Sequence, residues 1–206
     1  MSVPHVFIYL ASQSPRRRQL LEQLGVAHQL LLADENEDAE ALEAIHAGEL
    51  PAAYVQRVTA LKLDAACARL VRRGLPPAPI LCADTTVAIG RKILGKPANA
   101  DEARYMLHCL SGRSHRVLTA VALHDGQRSH HTVQISQVRF ATLDEPLMER
   151  YIASGEPFGK AGAYAVQSAL AGWIRNIAGS YSGVMGLPLY ETARLLRQAG
   201  VQMTLA

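Results

Sequence analysis

This 206-residue chain has few cysteines, no long apolar run and no strong charge excess, and each of these features argues against a class of protein. The three cysteines, Cys67, Cys82 and Cys109, are widely spaced and lie outside any C-x-x-C pattern. The sequence therefore predicts neither a disulfide framework nor a zinc site. The longest apolar stretches, 6–11 and 80–83, are far shorter than the roughly 20 residues that a membrane helix requires. We expect no membrane partner.

The charge distribution points to a small anionic ligand. The formal net charge is only +3, and the one dense basic cluster is Arg16-Arg17-Arg18. So compact a cluster does not indicate an extended nucleic-acid surface, and we expect no nucleic-acid partner. The first apolar run has neither a basic leader nor a signal-peptide core of ~7–15 residues, which predicts a cytoplasmic protein.

Length and apolar content predict one domain spanning 1–206, because 49% apolar residues can bury a substantial core. The run at 6–11 predicts a strand that leads into a helix, with Ser14 as N-cap and Pro15 as first helical residue. The apolar periodicity of 53–71 predicts a longer helix. Residues 80–89 are typical of a buried strand.

The second half of the chain predicts strands and helices in irregular alternation. Asp125-Gly126 favours a hairpin between 115–123 and 131–140, and we interpret the nearby histidines as a solvated hairpin end in preference to a metal site. Further predictions are helices at 101–110, 145–153 and 187–199, and short strands at 163–167 and 173–178. These elements indicate an α/β fold with a mixed, partly antiparallel sheet flanked by helices.

The sharpest local motif is Ser12-x-Ser14-Pro15-Arg16-Arg17. It places hydroxyls, cations and the free N–H groups of a helix terminus together after a strand, and phosphate is the natural ligand for such a group. For this string alone, a capped surface helix with solvated arginines is the more ordinary interpretation. Successive helical residues diverge by about 100°, so the three arginines cannot all face one ligand. We expect Arg18 to be exposed.

Two acidic positions are candidates for chemistry. Asp84 follows an apolar run and precedes Thr85 and Thr86, where the carboxyl end of a strand presents groups to a ligand. A carboxylate there can hold a metal or take a proton from water, although a capping or turn aspartate has the same spacing. Glu35 lies in an acidic stretch, 34–40, that on local grounds is typical of a solvated loop.

A nucleotide-binding P-loop is not indicated. Residues 90–96 match G-x-x-x-x-G-K, but Pro97 stands where the metal-binding Ser or Thr is required, and no helix is predicted to begin there. Lys96 can still contact phosphate as a lone cation at a strand end. Lys62 and Lys160 lie in segments that local physics alone would assign to ordinary surface.

Seven segments of the chain form one ordered set of motifs: 12–17, the helical pair Arg57 and Lys62, 83–85, 95–97, 110–123, 156–167 and 179–191. In this order they resemble the Maf family, from about residue 10 to residue 196. Chance could supply one of these matches, but hardly seven in sequence.

The resemblance implies a mixed α/β fold with a central nucleotide-binding cleft. It implies a divalent cation, magnesium or manganese, and hydrolysis of a nucleoside triphosphate to the monophosphate and pyrophosphate. The string at 160–167 is similar to the branch that acts on dTTP and UTP. The implied roles are catalysis and metal binding for Asp84, metal binding for Glu35, triphosphate binding for Ser12, Arg17, Lys62, Lys96 and Lys160, and base selection for Arg16, Thr85 and Gln167.

The chain departs from the family pattern at two positions. Gly159 stands where aspartate is common, which removes a carboxylate near the expected metal, and Ser168 stands where glycine is usual. Two other functions stay open: a pyrophosphatase for another modified or noncanonical nucleotide, and a nucleotide-binding regulator of cell division. The oligomeric state also stays open, with a homodimer as one alternative.

Overall fold

The computed structural model describes residues 5–35, 37–38 and 41–204. The strands are β1 (Ile8–Leu10), β2 (His28–Leu30), β3 (Ile80–Ile89), β4 (Lys92–Leu94), β5 (Ser114–His124), β6 (Ser129–Phe140) and β7 (Ile174–Ala178). The helices are α1 (Pro15–Gln23), α2 (Pro51–Arg72), α3 (Ala100–Leu110), α4 (Glu145–Ala153), α5 (Tyr181–Met185) and α6 (Leu189–Gln198). Short 3-10 turns occupy Ala41–Glu43, Ala161–Ala163 and Ala169–Trp173.

The strands form one mixed sheet in the order β2-β1-β3-β5-β6-β7, with β4 paired to β3. β1 runs parallel to both β2 and β3, and the other pairings are antiparallel. Helices pack on both faces: α2 covers β3 and β5, while α1 and α6 share a core cluster with β1 on the opposite face. The predicted mixed α/β sheet flanked by helices is confirmed.

One edge of β3 is open in its middle. β1 pairs with it only at Ile80 and Leu81, and β4 pairs with it only from Val87 onward. Within the described chain, no strand pairs with the stretch 82–86 on that edge. Because side chains alternate along a strand, Asp84 points toward the α2 face and Thr85 toward the α1 face at this gap. The gap exposes both faces of β3 to one cleft.

Most predicted elements are confirmed, and the exceptions lie where backbone geometry overrides the local pattern. The strand predicted at 163–167 is wrong, because Gly162 and Ala163 have positive φ of 69° and 61° and turn the chain instead of extending it. Asp84 was expected at a strand end, but it lies midway along β3, since the antiparallel pairing with β5 continues past it. In the part of the chain that the structure describes, no helix is both long and apolar enough to cross a bilayer.

Candidate active site

A cleft of about 610 Å³ lies at the gap beside β3. It is bounded by the loop after β1 and the start of α1, by α2, and by the segments that follow β4, α4 and α5. Eight of the predicted site residues line it: Ser12, Arg16, Arg17, Lys62, Asp84, Thr85, Lys96 and Lys160. Residues far apart in sequence therefore converge on one cavity, and five of the eight are cations.

Arg17 joins three walls of the cleft. Its Nε donates to the Gly186 carbonyl at 2.8 Å, its Nη1 to Ser12 Oγ at 3.1 Å and its Nη2 to Thr85 Oγ1 at 3.3 Å. Burial lowers the pKa of Arg17, an effect that nearby Asp84 opposes. A guanidinium still stays protonated in proteins, so Arg17 is a fixed positive charge.

The start of α1 has the geometry that its periodicity predicts. The Ser14 hydroxyl accepts from the Arg17 backbone N–H as N-cap, and Pro15 begins the helix. Arg16 Nε donates to the Met185 carbonyl at 3.3 Å. Arg18 lies on the exposed face. Two arginines therefore face the cleft and the third does not.

A second charged group lies on the α2 side of the cleft. Lys62 Nζ donates to Asp84 Oδ1 at 2.6 Å and to Glu43 Oε1 at 2.7 Å. Lys96 Nζ approaches Glu43 Oε2 to 2.7 Å. Asp84 is only 8% exposed, so its pairing with Lys62 is partly screened from water. The result is an alternating chain of two carboxylates and two ammonium groups.

The pKa values of this group follow from its pairing. Burial opposes the charge on Lys62, but Asp84 and Glu43 outweigh that effect and raise the Lys62 pKa above its usual value. Burial likewise opposes ionisation of Glu43, and Lys62 and Lys96 outweigh it and lower the Glu43 pKa. Lys62 and Glu43 are therefore both charged at neutral pH.

Lys160 lies across the cleft on the segment before the 3-10 turn Ala161–Ala163. Its ammonium donates to the Glu156 carbonyl. Burial lowers the pKa of Lys160, and Arg16 lowers it further, because two cations share this side of the cleft. Glu156 opposes these two effects only in part, so the Lys160 pKa stays below its usual value. An anionic ligand would relieve the remaining excess of positive charge.

The structure does not bring Glu35 or Gln167 into the cleft. Glu35 is exposed in a turn, although Leu31, Leu32 and Ala33 of the same loop line the cavity. Gln167 is exposed in a turn next to Val166, which does line it. Both side chains therefore border the site from outside.

The two departures from the family pattern have different consequences. Gly159 lines the cleft, and a Cβ built there would meet open space, so the missing side chain leaves room in the cavity. The Ser168 hydroxyl is engaged in the fold: it accepts from Tyr151 Oη at 3.1 Å and donates to the Ala165 carbonyl at 2.7 Å. Ser168 thus holds the segment that carries Lys160 and Gln167.

Three contributors escaped the sequence interpretation. Glu43 belongs to a loop without apolar periodicity, and only tertiary folding reveals its position. The Thr119 hydroxyl lies 2.9 Å from Thr85 Oγ1 and donates to the Gly183 carbonyl at 2.8 Å. The carbonyls of Met185 and Gly186 orient the two arginines. Thr119 lies in segment 110–123, and Met185 and Gly186 lie in segment 179–191. Both segments contribute to the family resemblance, but the resemblance assigned no role to these residues.

The carboxylates of the cleft are compatible with a hard divalent cation. Magnesium commonly uses one or two carboxylates and completes its shell with water and substrate phosphates. Asp84 and Glu43 are the acidic side chains that line the cleft. Among the described residues, no group of three or more His, Cys, Asp or Glu side chains forms a protein-only metal site. Any metal here would complete its shell with water or with oxygens from the substrate.

Known proteins match this chain along nearly its whole length. The sequence pattern of the family described as Maf-like protein matches residues 7–199. This chain belongs to the Maf family. The cleft of this Maf protein lies at the gap in β3, where it contains both a carboxylate and a set of cations.

Several curated Maf relatives share well over half of their residues with this chain. A dTTP/UTP pyrophosphatase of Polaromonas sp. (strain JS666) is 63% identical over 197 residues, covering 96% of this chain and 98% of that protein. The dTTP/UTP pyrophosphatases of Cupriavidus metallidurans and Albidiferax ferrireducens are 61% and 60% identical, covering 94% and 96% of this chain and 97% and 98% of their own lengths.

Proposed function

We propose that the protein hydrolyses dTTP and UTP to the monophosphate and pyrophosphate. The observation that carries the proposal is the convergence of Asp84 with the five cationic side chains predicted from the sequence in one cleft. Relatives at 60–63% identity are named dTTP/UTP pyrophosphatases, which supports the choice of substrate. A triphosphate brings about four negative charges, and its hydrolysis requires groups that absorb charge as pyrophosphate leaves.

The residues of the cleft have two separate roles, triphosphate binding and activation of water. Ser12, Arg17, Lys62, Lys96 and Lys160 bind the triphosphate. Asp84, held by Lys62 at 2.6 Å, orients the attacking water and accepts its proton. Lys62 and Lys96 then stabilise the charge that develops on the leaving pyrophosphate.

A divalent metal, magnesium or manganese, would be held by Asp84 together with phosphate oxygens. When bound, it would supply charge neutralisation at the phosphates. Glu35 would join it only in a liganded state, since its side chain is exposed outside the cleft in this structure. The residues of the chain contribute binding, orientation and the proton acceptor.

The direct test is a panel of dTTP, UTP, CTP, ATP and GTP with magnesium or manganese, scored for pyrophosphate and orthophosphate release. We expect pyrophosphate from dTTP and UTP at rates at least about tenfold above those of the purine nucleotides. Binding of nucleotides without turnover would favour a regulator. Turnover confined to modified nucleotides would favour the alternative substrate class.

Base selection is proposed for Arg16, Thr85 and Gln167. Gln167 is exposed beside the cleft in this structure, so it would reach a base only in a liganded state. Its amide offers a donor and an acceptor, which matches the carbonyl and ring N–H of uracil or thymine. We expect Gln167→Glu to lower kcat/KM for dTTP and UTP by about tenfold to a hundredfold, with less effect on purine nucleotides. An equal fall across all five substrates would assign Gln167 to the fold or the phosphates.

A further inference from the structure

The carboxylate of Glu43 occupies the space between two lysines that the proposed function assigns to phosphate. Its Oε1 lies 2.7 Å from Lys62 Nζ, and its Oε2 lies 2.7 Å from Lys96 Nζ. One carboxylate therefore uses both of its oxygens on ammonium groups from two different elements. A pair of phosphate oxygens would make the same contacts.

The backbone around Glu43 is held in place from α2. The Tyr54 hydroxyl donates to the Glu43 carbonyl at 3.0 Å, and Arg57 Nη2 donates to the Ala44 carbonyl at 2.8 Å. Arg57 also forms a two-point ion pair with Glu49 at 2.7 and 2.8 Å. These contacts anchor Glu43 and the residues that follow it, and the Glu43 side chain lines the cleft.

We propose that Glu43 is an internal competitor of phosphate for Lys62 and Lys96. A triphosphate must displace the Glu43 carboxylate in order to bind, and after hydrolysis the same carboxylate helps to displace pyrophosphate. The inference rests on the proposed function, because that function assigns Lys62 and Lys96 to phosphate. It adds a residue that sets the affinity of the cleft for polyphosphate.

The exchange has a clear energetic logic. Without a carboxylate between them, Lys62 and Lys96 would leave two ammonium groups facing one cavity, and pyrophosphate would bind there strongly and leave slowly. Glu43 satisfies both lysines in the free protein, so each binding event gains only the difference between phosphate and carboxylate contacts. Product release becomes easier at the expense of substrate affinity.

Pyrophosphate binding to the full chain, measured by titration calorimetry without divalent metal, tests the inference. We expect Glu43→Gln to bind pyrophosphate about tenfold more tightly than wild type, because the amide removes the competing charge. Glu43→Asp keeps that charge and is expected to stay within a fewfold of wild type. Glu149→Gln, an exposed change of equal charge outside the cleft, should change nothing.

A second variant separates competition from folding. Tyr54→Phe loses the hydroxyl that holds the Glu43 carbonyl, so it should tighten pyrophosphate binding in the same direction but by less. Unchanged or weaker binding by Glu43→Gln, with an unfolding midpoint near that of wild type, would overturn the inference and would point to a metal or structural role for Glu43. This outcome is independent of the proposed function, which fails only if dTTP and UTP are not hydrolysed.

Discussion

Arg17 connects the proposed phosphate side of the cleft to the fold. It donates to Ser12, Thr85 and the Gly186 carbonyl, so its guanidinium is oriented before any ligand arrives. A preorganised cation loses little conformational entropy on binding, whereas the exposed Arg18 would have to be ordered. The side chains differ in environment although they are neighbours in sequence.

We predict that Arg17→Ala weakens binding of every triphosphate by a similar amount, about 1.5–3 kcal/mol for a charge-assisted contact. Dissociation constants for dTTP, UTP and ATP provide the measurement. Arg18→Ala is the matched control and should change them little. A larger effect at Arg18 would mean that the orientation of α1 in the functional state differs from the one described.

The C-terminal end of α5 is the element that positions both cleft arginines. Its carbonyls at Met185 and Gly186 accept from Arg16 and Arg17. Gly186 has φ of 117°, and a Cβ built there would lie 3.5 Å from Arg17 Nε. The backbone of this short helix end thus fixes where the positive charge lies.

We predict that Gly186→Ala raises KM for dTTP severalfold, because backbone strain at positive φ shifts the carbonyl that holds Arg17. The strain should also lower the free energy of unfolding by about 1–3 kcal/mol. Gly126→Ala is the control, since Gly126 has φ of 96° in open space at the β5–β6 hairpin. That variant should lose stability with KM unchanged; a matching rise in KM would show that the effect is not local to the cleft.

Elements with a strong local signal were predictable, and contacts made by tertiary folding were not. The N-cap and Pro15 were enough to predict where α1 begins, and helix geometry was enough to predict that its three arginines cannot all face one ligand. The position of Glu43 depends on the segment between β2 and α2, whose sequence has no repeating pattern. The strand predicted around Gln167 failed because two residues adopt left-handed backbone conformations that composition does not reveal.

At the scale of the whole molecule, the core contains a titratable group far from its usual pKa. His115 is 2% exposed, its Nε2 lies 2.7 Å from Tyr164 Oη, and its ring packs 5.2 Å from that of Phe140. Among the described residues, its Nδ1 has no hydrogen-bond partner. Burial lowers the pKa of His115 to about 4.

The stability of the fold should therefore depend on pH between 4 and 6.5. In the unfolded chain His115 takes up a proton near its ordinary pKa of about 6.5, whereas in the folded state it stays neutral down to about 4. The stabilisation is complete above pH 6.5 and is lost as the pH falls toward 4. We predict a loss of about 2 kcal/mol between pH 7 and pH 5, measured by urea unfolding. His115→Gln should remove most of this slope, and an unchanged slope would contradict the assignment.

Substitution of Asp84 tests the central claim most directly, because in the proposed mechanism Asp84, held by Lys62, activates the water that attacks the triphosphate. The measurement compares wild type with Asp84→Asn, using dTTP and magnesium or manganese, and follows pyrophosphate release together with nucleotide binding. The account predicts a fall in turnover of about 10²–10⁴-fold, the range for loss of a general base, while nucleotide binding survives. Pyrophosphate release by Asp84→Asn at the wild-type rate would contradict it.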